Sequence, residues 1–432
     1  MFNTIKPLQM RNRILAFATI GLLFVFAGGC RKNDPLPDDH LLDRLNWSEK
    51  NYQVLNQMIR DYGIGGKFYN GNKAPYVVLD WDQTCAHFDV EEAVMRYQLV
   101  NLRFKMTREQ FRNDVLKANI NGVTKLSDAY KSVNLTDMNT DLINDYNYLY
   151  DNFLATGSTM TLSAIQATPQ YNDFIAKIPF LYDGYCETSG IGAEYGYPWL
   201  LCLLAGHTIN EVKLLAKEAI NYELGNKLSK QTWQSPAGFP TSTGLISYTY
   251  KTGLRVFPEI QDLISTFKRN GIEVFIVSAS YKPVVEVFSG IGNYGYDVPS
   301  DHVIAMELAT AGDGKILPQY KEGWIITQRQ GKVDAINRVI KQEMGKNHDP
   351  LFSAADSDGD YEMSTMFPDM KLTLIWNRVK GGDIGKLCKK AVDEANLSTP
   401  RYILQGRNEN TGIVMPYPES ILLGKTEPQL LY

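Results

Sequence analysis

The sequence predicts an α/β chain, a sheet of mostly parallel strands with helices between them, interrupted by one long helical insertion. Three observations support that class. Short apolar runs without alternation, at 75–79, 274–277, 351–355 and 372–376, have the pattern of strands buried on both faces. Segments with apolar residues at helical spacing lie between the later runs. From 86 to 252 the strand signals stop and helix signals replace them, a length suited to a separate inserted unit.

Taken in order, the chain opens with Lys6, Arg11 and Arg13 ahead of an apolar run at 14–27. That run falls short of the about 20 residues a spanning helix needs, and suits the core of a signal peptide. Ala27-Gly28-Gly29 and then Cys30 follow. The pattern resembles the lipobox of bacterial lipoproteins. The resemblance implies cleavage after residue 29, lipidation of Cys30, and an exported chain held to a membrane of the cell envelope. A plain secretory peptide or an uncleaved short anchor are the alternatives. Residues 30–45, polar and with Pro35 and Pro37, read as a tether.

The core is expected at 46–85 and 253–432, and the inserted helical cap at 86–252. A helix over 46–62 has Val54, Leu55, Met58 and Ile59 on one face and Ser48 near its start. In the insertion, Thr107-x-x-Gln110 and Thr208-x-x-Glu211 are capping boxes, the second opening a helix that ends at Gly225. Beyond it, Pro258 starts a helix whose stripe is Ile260, Leu263, Ile264 and Phe267, stopped at Gly271. A further helix begins near Lys332. The product is a Rossmann-like sheet with a cap.

Composition narrows the function. Against 48 acidic residues stand 44 basic ones, a net charge of −4 that argues against nucleic acid as a partner. The five cysteines, at 30, 85, 186, 202 and 388, and the five scattered histidines show no zinc spacing. Pairing among Cys85, Cys186, Cys202 and Cys388 stays open.

Ligands of open parallel sheets bind at the carboxyl ends of the strands. One candidate strand ends Asp80-Trp81-Asp82-Gln83-Thr84, where i,i+2 alternation aims Asp80 and Asp82 at one site. Two such carboxylates need a cation beside them or a proton on one of them. Another strand ends Ser278-Ala279-Ser280, and a third ends Asp356-Ser357-Asp358-Gly359-Asp360-Tyr361-Glu362-Met363. Between these two, Gly331-Lys332 opens a helix.

Asp-x-Asp-x-Thr, strand-Ser, Gly-Lys and Asp-Ser-x-x-Asp-x-x-Met, in that order, resemble the haloacid dehalogenase superfamily of phosphatases. The likeness is strongest to its phosphoserine phosphatase branch, which inserts a cap soon after the first motif. It implies Asp80 as nucleophile, Asp82 as general acid and base, and Ser278 and Lys332 as binders of the phosphoryl oxygens. It implies Mg2+ held by the Asp80 carboxylate, the Asp82 carbonyl and Asp356, with Asp360 near the metal or holding Lys332. Lys315 and Lys321 compete with Lys332 for the lysine role. An EF-hand reading of Asp356-x-Asp358-x-Asp360 fails, since the sixth position is Tyr361 and the twelfth Phe367. A P-loop at 381–386 fails as well, one residue short and followed by Leu387.

A cap over such a site favours a small phosphorylated metabolite. Its aromatics, Tyr182, Tyr185, Tyr195, Tyr197, Trp199 and Trp233, with Glu187 and Glu194 among them, suit an ammonium group by cation–π attraction or else form the cap's own core. The stretch at 197–212 is similar to the cap of secreted phosphocholine phosphatases. Thr84, Asp89, Tyr197 and Trp199 are therefore the expected substrate contacts, with phosphocholine, phosphoethanolamine or phosphoserine as substrate. A broad-specificity exported acid phosphatase and a non-catalytic binding lipoprotein are the alternatives.

Overall fold

The computed structural model describes residues 41–432. The leader, most of the tether and Cys30 lie outside the described residues. Among the described residues no helix is long and apolar enough to cross a membrane.

Six strands form the central sheet: β1 (Tyr76–Leu79), β2 (Glu273–Tyr281), β3 (Val303–Met306), β4 (Phe352–Ala355), β5 (Leu372–Trp376) and β6 (Tyr402–Gln405). Their order is β6-β5-β4-β1-β2-β3, and every pairing is parallel. All residues of β1, β3, β4, β5 and β6 are buried, which is why these runs are apolar without alternation. The chain leaves β1 toward β2 on one side and later returns to β4 on the other. The switch point therefore falls between β1 and β4.

Helices cover both faces of the sheet. In α1 (Glu49–Tyr62), Ser48 accepts from the Asn51 amide as N-cap, and Leu55, Met58 and Ile59 are buried. In α7 (Pro258–Arg269) the expected stripe Ile260, Leu263, Ile264 and Phe267 is buried.

Between β1 and β2 the chain builds α2 (Val90–Val100), α3 (Leu135–Leu149), α4 (Pro169–Glu187), α5 (Ala193–Cys202) and α6 (Ile209–Gly225). Both capping boxes form, the one at Thr208 opening α6. This segment has its own hydrophobic core, centred on Leu142, Tyr146, Phe174, Leu181 and Tyr185. Wholly buried Lys177 ties α3 to α4 by donating to Asp141 at 2.9 Å and Asp173 at 2.5 Å.

Two features refine the picture of a mainly helical insertion at 86–252. An antiparallel hairpin, Ser229–Gln234 with Ser247–Thr252, adds Tyr248 and Tyr250 to the cap core. The start of α2 and the inner face of α6 (Val212, Leu215, Ala216, Ala219, Ile220) belong to the sheet's core instead. Those two helices are the stalk of the cap, and their amphipathicity alone does not say which layer they face.

Candidate active site

Sheet register assembles the site. Leu79 pairs with Ala354 on one side and Ile276 on the other. The residues emerging just beyond, Asp80, Asp356 and Ser278, therefore share one edge. Asp82 follows Asp80, and the chain then turns through Gln83 with a left-handed φ of 64°. Arg407, wholly buried, fixes that turn by donating to the Gln83 carbonyl at 2.7 Å and to its Oε1 at 2.6 Å. Thr84 thereby comes back beneath the carboxylates. Its hydroxyl is shared between Asp80 Oδ2 at 2.9 Å and Asp356 Oδ1 at 3.3 Å. Thr84 is 0% exposed, so it positions carboxylates and is not a substrate contact, a correction to the expectation above.

Lys332 enters from α9 (Gln330–Ala335). A Cβ on Gly331 would lie 1.8 Å from the Ile326 carbonyl, so only glycine admits the approach that delivers the lysine. The ammonium donates to Asp80 Oδ1 at 2.5 Å and Asp360 Oδ1 at 2.6 Å. Burial works against its charge, but Asp360 and Asp80 outweigh burial and raise its pKa. Lys315 and Lys321 pair with Asp313 and Glu307 outside the site.

Asp80, Asp356 and Asp360 each offer an oxygen within 4.8 Å of the others, a buried hard-oxygen cluster that fits Mg2+. Their engagements differ. Asp360 is fully used, with Oδ1 on Lys332 and Oδ2 on the amides of Asp356 (3.1 Å) and Ser357 (3.3 Å). Asp360 thus holds Lys332 and the turn while standing in the same cluster as Asp80 and Asp356. Asp356 is paired with Arg378, which more than offsets the effect of burial and lowers its pKa.

Asp82 is held at both oxygens, by the Val90 amide (2.6 Å) and the Ser280 hydroxyl (2.6 Å). Burial, then the charge of Asp89, pushes its carboxyl well above the usual range, against those hydrogen bonds. Ser278 is fully buried, with its hydroxyl accepting from the Ser280 amide, and the cavity wall at this point is Ala279 and Ser280. The expected contact through Ser278 is therefore corrected, and Ser280 stands on the wall with its hydroxyl donated to Asp82. The same i,i+2 alternation that couples Asp80 and Asp82 was the signal for it.

Over these groups lies a cavity of about 310 Å³. Its roof carries Tyr130, Tyr182 and Tyr197, with Asp183, Cys186 and Glu187 between them. The rings of Tyr182 and Tyr197 stand 6.3 Å apart. From α2 come Glu91, Glu92 and the N-cap Asp89, which accepts from the Glu92 amide at 2.9 Å. Burial raises Asp183 and Glu91 to about 8 and Asp89 to about 7, with neighbouring acids adding to the effect. Tyr197 and Asp89 line the cavity.

Trp199 does not. It is 4% exposed in the cap core, its indole N–H donating to the Val115 carbonyl at 2.9 Å and its ring edge-on to Tyr185. Its expected substrate contact is corrected for that reason. Sequence reasoning also missed Arg378, Lys380 and Asp183 on the cavity wall. Nothing local marks the first two, because they follow β5 as a plain basic turn. The four described cysteines are free thiols.

No family model matches the chain. It is 22% identical over 269 residues to a phosphorylcholine phosphatase of Pseudomonas aeruginosa, the match covering 61% of this chain. The chain spans 57% of that relative's length. A solved structure of a functionally unknown protein from Anaerococcus prevotii superposes with a TM-score of 0.79 at 31% identity, over 88% of this chain and 98% of that one. The chain is thus similar over part of its length to a named phosphatase, and over most of its length to a protein of the same fold. In this arrangement β1 and β4 lead into the carboxylates, β2 carries the serines and α9 the lysine. The cap closes the cavity from above.

Proposed function

We propose that the protein hydrolyses small phosphomonoesters through an aspartyl-phosphate, with Mg2+ bound by Asp80, the Asp82 carbonyl and Asp356, and prefers esters with an ammonium head group. The observation that carries the reading is Asp80, aimed by Thr84 and Lys332 into a cavity whose opposite wall is tyrosines and carboxylates.

In the first step an Asp80 oxygen attacks phosphorus and the ester P–O bond breaks. Asp82, whose pKa burial raises, gives a proton to the departing alkoxide. Asp82 then takes a proton from water, whose oxygen attacks phosphorus, frees phosphate and restores Asp80. Lys332, on the cavity wall, would donate to the phosphoryl oxygens, where preorganised donors act most strongly, while Ser280 holds Asp82. Mg2+ when bound supplies charge neutralisation to those oxygens. The cap excludes bulk water, and Tyr182, Tyr197, Asp183 and Asp89 receive the head group.

Phosphate release from phosphocholine, phosphoethanolamine, glycerol phosphate and an aryl phosphate, with and without Mg2+, tests both parts. Preference for the two ammonium esters of at least about tenfold in kcat/KM is expected, since a desolvated cation–π contact offers about 2 kcal/mol. Equal efficiencies would remove the head-group assignment and leave a broad-specificity phosphatase. No release from any ester would remove the hydrolase. We further propose that the chain is exported and lipid-anchored at Cys30, supported by the basic start, the apolar run at 14–27 and Ala27-Gly28-Gly29. Retention of Cys30→Ser in alkaline-washed membranes would refute the anchor.

A further inference from the structure

Beside the catalytic cavity a smaller pocket of about 170 Å³ opens between the cap hairpin and the C-terminal segment. Lys230 and Lys251 come to it from the hairpin, Arg378 and Lys380 from the turn after β5, and Glu409 from beyond β6. Arg378 and Lys380 also line the catalytic cavity, so the two spaces share a wall.

The charges here do not balance. Lys230 and Lys251 are direct cross-strand partners, an arrangement in which like charges repel on one face of a hairpin. Glu409 is nearly buried, and its carboxylate is used by Lys251 at 3.0 Å, Arg407 at 3.3 Å and the Leu423 amide at 3.2 Å. Asp356 answers Arg378. Among the described residues neither Lys230 nor Lys380 has a carboxylate partner, so five cations meet two carboxylates. Lys380 feels the crowding, its pKa lowered by Arg378 first and by burial second. Hydrolysis at Asp80 gives no use for Lys230 or Lys251. Folding gains nothing from placing them face to face.

We propose that this pocket is a second anion site, taking a tetrahedral oxyanion of the phosphate class between Lys230, Lys251 and Lys380. Such an ion accepts several charge-assisted hydrogen bonds at once and relieves the repulsion of the facing lysines. It reaches the pocket either as free phosphate or as a second anionic group of a substrate whose ester sits at Asp80. The site does not depend on the reading of the activity.

The test is thermal unfolding of the full chain in EDTA, with inorganic phosphate titrated against chloride at matched ionic strength. Without metal the carboxylates around Asp80 repel phosphate, so a rise in Tm with phosphate reports the pocket. Lys230→Gln removes an exposed cation outside the catalytic cavity and a like-charge contact, so its Tm in chloride should hold or rise. Its phosphate affinity should fall about tenfold, the weight of one charge-assisted contact. Equal Tm in phosphate and chloride, or equal phosphate shifts in both proteins, overturns the site. Lys251→Gln serves as a second variant with the same loss of phosphate affinity, and with a lower Tm in chloride because it also removes the Glu409 ion pair. Turnover with Mg2+ separates the two sources. If the ion is free phosphate, Lys230→Gln loses the part of phosphate inhibition that is not competitive with substrate. If it is a substrate group, the variant loses kcat/KM on a bisphosphate ester and keeps it on a monophosphate.

Discussion

The floor and the roof of the cavity hold similar numbers of carboxylates under opposite rules. On the floor, Asp80 and Asp360 share Lys332, Asp356 has Arg378, and Asp82 is hydrogen-bonded at both oxygens. On the roof, Asp183, Glu91 and Asp89 have no salt bridge among the described residues, and burial keeps them protonated toward neutral pH. Paired charges cannot reorient cheaply, so the floor is preorganised for a reaction that moves charge. Buried acids without a counter-ion are costly until a ligand brings one. In the proposed function, that difference assigns chemistry to one side and recognition of a cation to the other.

The hardest break is on the floor. Asp80→Asn should lower kcat by about 10⁴ or more on every ester, because the amide cannot form the acyl-phosphate. Circular dichroism and Tm should stay close to wild type, since the amide is isosteric and Thr84 and Lys332 remain. A variant with a tenth of wild-type kcat would show that another residue is the nucleophile.

Lys332→Met comes next and tests pairing itself. It leaves Asp80 and Asp360 buried without their cation, and breaking such a pair costs about 3–5 kcal/mol. A large fall in Tm is expected, with kcat down by at least about 10³. Mg2+ should then raise the Tm of the variant more than that of wild type, because the ion replaces part of the missing charge. Equal Mg2+ shifts in the two proteins would show that the floor carboxylates do not share one field.

The floor was legible in the sequence because its geometry is local. Two-residue alternation gives Asp80 with Asp82, and short buried runs give the strands that end beside them. The roof was half legible. Tyr182, Tyr197 and Trp199 are alike in composition, and only packing divides them, two on the cavity and one against Tyr185 and Val115. Strands β3 and β6 were missed because Val303–Met306 and Tyr402–Gln405 are runs of only four residues. Arg407 was out of reach, since its grip on Gln83 joins residues far apart in the chain.

That division within the roof is itself testable. Asp183→Asn should cut the preference for ammonium esters about tenfold while sparing an aryl phosphate. Trp199→Phe should do the reverse in kind, lowering Tm through lost packing and an orphaned Val115 carbonyl, with the preference unchanged. Loss of preference in the tryptophan variant, at unchanged Tm, would move that ring from the cap core to the substrate.

The smallest effect expected is on pH, and its sign follows from burial. Asp183 and Glu91 titrate at about 8 in the folded protein, far above an ordinary carboxylate, because ionisation there loses hydration. The folded state therefore binds protons that the unfolded chain releases near about pH 4. Each group costs stability progressively as pH rises from that value through about 8. A bound ammonium group reverses the trend, since it favours the ionised acids. KM for phosphocholine should accordingly fall by about three- to tenfold between pH 6 and 9, after correction for the ester's own titration, with KM for an aryl phosphate flat. Tm without ligand should decline over the same range, and choline should restore more of it at pH 9 than at pH 6. In Asp183→Asn both slopes should shrink together. A flat KM for phosphocholine with an intact decline in Tm would mean that the roof acids are a feature of folding and do not meet the head group.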